Sequence, residues 1–148
     1  MIKVRNGSIF DRESEVLVNP VNCVGVMGKG LASEFRKRYP TNFRAYKEAC
    51  NKGEVRVGGL FVTSSSSWPS IVNFPTKTHW RERSHIGDIV SGLIALRAYI
   101  LDNKVSKLSI PAVGCGLGGL SWQVVEPHIY HALDDLKCEV SLYPPSCG

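Results

Sequence analysis

The stretch that decides the fold is Val16–Ala32, which reads VLVNPVNCVGVMGKGLA. Its first residues, Val16–Asn19, are largely apolar and β-branched, as in a buried strand. Three glycines follow before a helical spacing begins near Leu31. Glycine lets the backbone approach a ligand closely, and a helix N-terminus offers N–H groups to a phosphate. The stretch predicts a strand, a ligand-binding loop and a helix, although a sharp turn without a ligand would show the same pattern.

Outward from this stretch, short β-branched or aromatic runs alternate with helical spacing. The predicted strands are Ile2–Arg5, Val16–Asn19, Leu60–Thr63, Ile71–Phe74, Leu108–Val113 and Glu139–Tyr143. The predicted helices are Leu31–Tyr39, a segment capped by Thr41 that ends near Gly53, an apolar face from Ile86 to Leu101, and a segment from a Ser121 cap to Leu136. This alternation is typical of an α/β layered fold with a largely parallel sheet.

Length and composition limit the alternatives. The 148 residues are 43% hydrophobic and 21% charged, so we expect one globular domain over residues 1–148. No apolar run follows Met1–Arg5, so we expect no signal peptide and no membrane partner. The net charge of +5 is compatible with an anionic partner without requiring one. Five cysteines without a CxxC pair indicate neither a disulfide framework nor a zinc site, which favours a cytoplasmic location.

A second glycine loop follows the predicted strand Leu108–Val113. Gly114–Leu120 reads GCGLGGL and matches G-x-G-x-x-G. A dinucleotide-binding fold carries that pattern in its first βαβ unit, with an acidic residue closing the next strand. Here the pattern lies in the last third of the chain, and Asp134 and Asp135 fall in a predicted helix. The position therefore argues against a dehydrogenase.

The two loops are more informative together than separately. The first is not an ATP-binding P-loop, because that motif needs Ser or Thr after its lysine and Gly30 follows Lys29. Both loops follow predicted strands, and ligands of α/β sheets gather at the carboxyl ends of strands. Two glycine loops at one edge suit a diphosphate that is held from two sides.

The segment Pro75–His85, PTKTHWRERSH, follows a third predicted strand. Cations interleaved with an aromatic ring are typical of surfaces that bind single-stranded nucleic acid. A solvated loop in which Trp80 packs on a neighbour is the alternative. Lys77 either lies on the surface or points into the same cleft as the loops. The four histidines are not spaced like metal ligands, so no metal is predicted.

Four motifs together resemble the macrodomain family, and within it the DarG-type enzymes that reverse DNA ADP-ribosylation. They are Val18–Asn22, Gly25–Ala32, Asn73–Lys77 and Pro111–Trp122, and the resemblance extends from Lys3 to Pro145. It implies a three-layer α/β/α macrodomain with a central mixed sheet and ADP-ribose at the strand ends. It also implies a DarT-like toxin as a partner, which in that family is gripped by a further domain that these 148 residues do not include.

The resemblance also implies roles for individual residues. Lys77 falls where DarG-type enzymes carry their catalytic lysine, and the expected DNA contacts are His79, Trp80, Arg81 and Arg83. Asn22 would lie by the distal ribose, and Tyr143 with Pro144 near the adenine. The full set expected to bind ADP-ribose is Ser8, Ile9, Asn22, Met27, Gly28, Gly30, Leu31, Gly114, Cys115, Gly116, Leu117, Gly118 and Tyr143.

Two positions depart from related macrodomains. Many members carry an Asp that accepts a hydrogen bond from adenine where this sequence has Ser8, which predicts weaker or more backbone-based adenine recognition. The terminal ADP-ribose protein glycohydrolases carry an Asp where this sequence has Gly118, which favours the DNA-type activity over hydrolysis of a glutamate ester.

The expected reaction is hydrolysis of the bond between the distal ribose and a thymine base in ADP-ribosylated single-stranded DNA. Protonated Lys77 would donate to the departing base, whereas neutral Lys77 would attack the ring-opened sugar aldehyde. The sequence does not choose between these roles, and it implies no cofactor. The alternatives are a protein ADP-ribosyl hydrolase and a non-catalytic ADP-ribose reader.

Overall fold

The computed structural model describes residues 1–67 and 69–145. Its strands are β1 (Ile2–Val4), β2 (Val16–Val21), β3 (Phe61–Thr63), β4 (Ser70–Pro75), β5 (Lys107–Pro111) and β6 (Glu139–Tyr143). Its α-helices are α1 (Gly30–Arg38), α2 (Pro40–Asn51), α3 (Ile86–Asp102) and α4 (Trp122–Leu133). All six predicted strands and four predicted helices are present, with boundaries shifted by a few residues.

The strands form one mixed sheet in the order β1-β6-β5-β2-β4-β3. Every neighbouring pair is parallel except β3 with β4, which is antiparallel. The carboxyl ends of the five parallel strands therefore meet at one edge. This arrangement brings both glycine loops to the same side of the molecule, as predicted, and the Lys77 segment lies on that side too.

Helices cover both faces of the sheet. Along β2, Val16 and Val18 pack in a cluster with residues of α3 and α4, whereas Leu17 faces the side that holds Phe35 of α1. This alternation follows from the twofold side-chain period of a strand. Tyr46 of α2 lies in a further cluster beneath the first loop. The architecture is the expected three-layer α/β/α fold.

The packing of α3 is unusually close at Gly92. A Cβ atom there would lie 2.4 Å from the ring of Phe74, which is 0% exposed. Only glycine lets the helix approach β4 at this point. The strand that ends beside Lys77 is thus held against α3 by direct contact with the helix backbone.

The prediction that Thr41 caps α2 was wrong. Pro40 occupies the first position of α2, and Tyr39 precedes the helix. Proline is favoured there because its φ suits a helix and its missing N–H would have no partner. Thr41 lies inside the first turn, where its hydroxyl accepts a hydrogen bond from Arg44 at 3.3 Å. Ser121 does precede α4, although its side chain makes no capping hydrogen bond.

Within the described ranges, no helix is long and apolar enough to cross a membrane.

Candidate functional site

The carboxyl ends of β2, β4, β5 and β6 surround a cavity of about 1030 Å³. This volume is large enough for a drug-sized or dinucleotide-sized ligand. The predicted site residues that line it are Ser8, Ile9, Asn22, Gly28, Gly30, Leu31, Lys77, Trp80, Arg81, Gly114, Cys115, Gly116, Leu117, Gly118 and Tyr143. The tertiary structure therefore brings most of the predicted residues together.

Three predicted residues do not line the cavity. Met27 is 1% exposed and packs in the core beneath the first loop, with its sulfur 3.8 Å from Nδ2 of Asn19. His79 and Arg83 lie outside the cavity wall. Met27 thus supports the loop from below, and its position does not favour direct contact with a ligand.

The first loop presents unpaired backbone donors to the cavity. Lys29 precedes α1 without a side-chain cap, so the N–H groups of the first turn, Gly30–Ala32, lack an intrahelical partner. Gly30 has φ +62°, in the left-handed region that favours glycine. Open N–H groups at the positive end of a helix dipole are able to bind an anion.

Asn22 fixes the shape of this loop. Its Oδ1 accepts hydrogen bonds from the N–H of Val24 at 3.0 Å and from the hydroxyl of Tyr46 at 2.8 Å. Its Nδ2 donates to the carbonyl of Val26 at 2.7 Å. Tyr46 is 0% exposed, and burial raises the pKa of its hydroxyl above the usual range. The hydroxyl therefore stays protonated and remains a donor to Asn22.

The second loop opposes the first across the cavity. Gly114 and Gly116 have φ of +81° and +63°, in the left-handed region that favours glycine, and both line the cavity. Within the described residues, the N–H groups of Gly116 and Leu117 donate no hydrogen bond and remain available to an anion. A Cβ atom at Gly30 would lie 3.3 Å from Cδ1 of Leu117, so the two loops approach each other closely.

Residues at the end of the Lys77 segment, Pro75–His85, brace the second loop. The N–H of Ser84 donates to the carbonyl of Gly118 at 2.9 Å, and Arg83 donates to the carbonyl of Gly119 at 3.1 Å. A Cβ atom at Gly118 would lie only 2.5 Å from Oγ of Ser84. The position held by Gly118 therefore has no room for a side chain unless Ser84 moves.

Lys77 spans the cavity from the end of β4. Its Nζ donates to the carbonyl of Leu117 at 3.1 Å, and the side chain is half-buried. Burial lowers the pKa of Lys77, because removal from water disfavours the charged amine. The N–H of Cys23 donates to the carbonyl of Thr78 at 2.9 Å, which ties this segment to the first loop.

His79, Trp80 and Arg81 stack on one another at the mouth of the cavity. The rings of His79 and Trp80 have centroids 5.2 Å apart, and the Arg81 guanidinium lies 4.6 Å from the Trp80 ring. The N–H of Arg81 donates to Nδ1 of His79 at 3.1 Å. Trp80 is 45% exposed, so part of its surface is open to a stacking partner.

Buried asparagines fix β2 and β4 behind the cavity. Asn73 accepts hydrogen bonds at Oδ1 from Asn19 and from Asn42, each at 3.1 Å. Its own Nδ2 donates to Oδ1 of Asn42 at 2.9 Å. All three residues are 0% exposed. This network joins the strands that lead into the first loop and into Lys77, and so holds their ends in register.

The far end of the cavity contains Ser8, Ile9 and Tyr143. The N–H of Ser8 donates to the Asp11 carboxylate at 2.9 Å, and its Oγ accepts from the N–H of Phe10 at 3.1 Å. Ser8 thus stabilises its own turn. The buried hydroxyl of Tyr143 has no hydrogen-bond partner within the described residues. Ile9 and Tyr143 also line the cavity here.

The cysteines in the loops have weakly acidic thiols. Burial raises the pKa of Cys23 to about 11 and also raises the pKa of Cys115. Both are free thiols. A thiol with a raised pKa is a poor nucleophile at neutral pH, which supports a packing role. Across residues 1–67 and 69–145, no group of three or more His, Cys, Asp or Glu is placed to hold a metal ion.

Several cavity residues were not predicted. Lys29, Glu34 and Ala112 line the wall. Helical spacing could have indicated Glu34, which lies one turn after Gly30. The supporting residues Tyr46 and Ser84 are distant in sequence from the loops they hold, and no local pattern indicates them.

The macro domain family model matches residues 18–129, which contain both loops and Lys77. The chain belongs to the macro domain family. It is 43% identical to the DNA ADP-ribosyl glycohydrolase of Mycobacterium tuberculosis over all of its length and 43% of that protein's length. The chain thus spans less than half of this curated relative.

Solved structures of macrodomains match this chain in fold as well as in sequence. The macrodomain of Mycobacterium tuberculosis DarG matches with a TM-score of 0.96 at 43% identity, over 99% of both chains. Thermosipho africanus DarTG in complex with ADP-ribose matches with a TM-score of 0.90 at 34% identity, over 96% of this chain and 41% of that one. Both solved structures thus match almost all of this chain in fold, at 43% and at 34% sequence identity.

Proposed function

We propose that this chain binds ADP-ribose in the cavity and hydrolyses the bond between its distal ribose and a thymine base of single-stranded DNA. The observation that carries the proposal is the convergence of unpaired N–H groups from both glycine loops on one cavity that Lys77 spans. The matched relatives, a DNA ADP-ribosyl glycohydrolase and a DarTG complex with ADP-ribose, support ADP-ribose as the ligand and modified DNA as the substrate class.

The loops would act by binding and orientation. Open N–H groups of Gly30–Ala32 and of Gly116–Leu117 face the diphosphate from two sides and fix the sugar that follows it. Ile9 and Tyr143 line the far end, where the adenine would lie. With the ligand fixed in this way, the scissile bond lies at the Lys77 end of the cavity, near the opening where Trp80 lies.

In the reaction, the bond between ribose C1″ and the thymine nitrogen breaks, and its electron pair leaves with the base. Water supplies the hydroxyl that remains on C1″, and the base takes up a proton. The transition state resembles an oxocarbenium ion, which the adjacent phosphates stabilise. Protonated Lys77 would donate to the base. Neutral Lys77 would instead attack C1″ of the ring-opened sugar as the base leaves with a proton, and water would then hydrolyse the resulting imine to free the amine and the aldehyde of ADP-ribose. Burial lowers the Lys77 pKa, which is the direction that the second role requires.

The Gly118 site favours DNA over a glutamate-ester substrate. The enzymes that hydrolyse glutamate esters carry an Asp at the position of Gly118. An Asp here would need a Cβ atom where Oγ of Ser84 leaves no space. The stacked His79–Trp80–Arg81 group provides a platform for a base instead.

Removal of the modification would repair the base. We propose a DarT-like toxin as the source of the ADP-ribose modification, and the match to DarTG supports this. The free thiols fit a cytoplasmic location.

The deciding experiment presents an ADP-ribosylated oligonucleotide and an ADP-ribosylated protein side by side. We expect the oligonucleotide to lose ADP-ribose and the protein to keep it. Loss from the protein alone would identify a protein hydrolase. Tight binding of ADP-ribose without cleavage of either substrate would identify a reader.

A further inference from the structure

The net charge of the protein is concentrated in one segment. Residues 29–56, which contain α1 and α2, include eight Lys or Arg and three Glu. The rest of the chain contains ten basic and ten acidic residues, so the whole excess of +5 lies in this segment. A charge distribution of this kind marks an electrostatic surface for an anionic partner.

These cations are mostly unpaired. All eight are exposed: Lys29, Arg36, Lys37, Arg38, Arg44, Lys47, Lys52 and Arg56. Within the described residues, Lys52 alone among them forms an ion pair, with Glu48 at 3.2 Å. By contrast, Lys3 pairs with Glu139 and Arg97 with Asp135. The positive field of α1 and α2 is therefore not neutralised by the protein itself.

A continuous line of contacts joins α2 to the mouth of the cavity. Lys47 lies beside the first loop, because a Cβ atom at Gly25 would be 3.3 Å from its Cγ. Two residues before Gly25, Cys23 is hydrogen-bonded to Thr78, which is followed by the His79–Trp80–Arg81 stack. Lys47 is therefore connected to the His79–Trp80–Arg81 stack through the first loop and the carbonyl of Thr78.

Beyond Lys47 the cations continue along one side of α2. Arg44 is three residues before Lys47, so both point to the same side of the helix. Phe43 lies four residues before Lys47, and the Arg36 guanidinium lies 4.4 Å from its ring centroid. We call Arg36, Arg44 and Lys47 the basic track.

We propose that the basic track binds the phosphodiester backbone of the single strand that flanks the modified nucleotide. The proposal rests on the proposed function only for the direction in which the strand leaves the cavity. A nucleic acid fits better than an acidic protein, because the exposed cations of the track are connected through the first loop to an aromatic stacking platform. Stacking platforms combined with a basic groove are the usual means of holding single strands.

The test measures binding of unmodified oligothymidylate, so that it does not depend on the proposed chemistry. Arg44→Gln/Lys47→Gln removes two charges from the track. Lys107→Gln/Lys137→Gln removes two exposed charges at the amino ends of β5 and β6, on the opposite edge of the sheet. Thermal melting checks that both variants fold, and fluorescence anisotropy measures affinity across a salt series.

We expect the track variant to bind several-fold more weakly while the control variant binds like the wild type. The slope of log affinity against log salt should fall by about 0.7 for each phosphate that the protein no longer neutralises. Equal binding by the two variants, or no binding by the wild type at low salt, would overturn the proposal. If polyglutamate competes as well as oligothymidylate of equal charge, the surface serves an acidic protein and the proposal is wrong.

Discussion

The amine of Lys77 lies 3.1 Å from the carbonyl oxygen of Leu117, so a side chain at the end of β4 reaches the second glycine loop across the cavity. Any ligand that enters between the loops must come close to this amine. This hydrogen bond holds the Lys77 amine, just after β4, at the point where the two loops converge.

Replacement of Lys77 tests its chemical role. Lys77→Ala should still bind ADP-ribose, because backbone N–H groups supply most phosphate contacts, but should lose turnover by about a hundredfold or more. Lys77→Arg keeps the charge but cannot readily deprotonate. Partial activity of Lys77→Arg would favour charge stabilisation, and an inactive variant is consistent with an amine nucleophile. Cleavage at the wild-type rate by Lys77→Ala would show that the catalytic assignment is wrong.

The pH dependence of turnover separates the same roles. Burial lowers the Lys77 pKa, so the neutral amine becomes populated at a lower pH than for a free lysine. A nucleophilic amine predicts a rate that rises with pH through that pKa, and borohydride should then trap an adduct on Lys77. A rate that falls with rising pH, without a trapped adduct, would indicate the protonated amine as donor.

Gly30 provides a test of the diphosphate site. Gly30→Glu should abolish ADP-ribose binding, because a carboxylate would meet the diphosphate at close range. Gly30 has φ +62°, so any side chain there adds strain, and Gly30→Ala is the matched control for that effect. Calorimetry and thermal shift measure both variants. Equal loss in the two variants would attribute the effect to backbone strain.

Gly118 and Ser84 should be energetically coupled. Gly118→Ala places a Cβ atom 2.5 Å from Oγ of Ser84, and such overpacking costs about 1–3 kcal/mol. Ser84→Ala should be nearly neutral, because that hydroxyl is buried without a partner within the described residues. In the double variant much of the loss should be recovered, as measured by denaturant unfolding in a double-mutant cycle. Additive effects would mean that the loop adapts elsewhere.

Trp80 and Arg83 should differ in what they affect. Trp80→Ala should weaken binding of an ADP-ribosylated oligonucleotide by about 1–3 kcal/mol, the usual value of a base stack, and barely change binding of free ADP-ribose. Arg83 was predicted to contact DNA, yet it donates to the carbonyl of Gly119. Arg83→Ala should therefore weaken binding of the oligonucleotide and binding of free ADP-ribose to a similar extent. Equal losses for both ligands in Trp80→Ala would assign Trp80 a structural role.

The loop cysteines should not be nucleophiles. Burial raises the pKa of Cys115, and that of Cys23 to about 11, so both thiols remain protonated at neutral pH. Cys115→Ala should keep most activity, and alkylation by iodoacetamide should be slow below the raised pKa. A hundredfold loss of turnover with intact ADP-ribose binding would contradict this assignment.

The sequence by itself determined the elements and the chemistry of the loops. Apolar strand runs, helical spacing and glycine positions are local signals, and they located six strands, four helices and both loops. They failed at Thr41, because Pro40 suits the first helical position better than a threonine cap suits the preceding one. They also placed Met27 at the ligand, since a loop sequence does not show which side chains turn inward.

Only the tertiary structure decided which distant residues support the site. Sheet order places β2 between β5 and β4, which brings Lys77 within reach of Leu117. Tyr46 holds Asn22 from below, and Ser84 excludes a side chain at Gly118. These contacts join residues that are far apart in sequence, and they exist only because parallel strands carry their loops to a common edge.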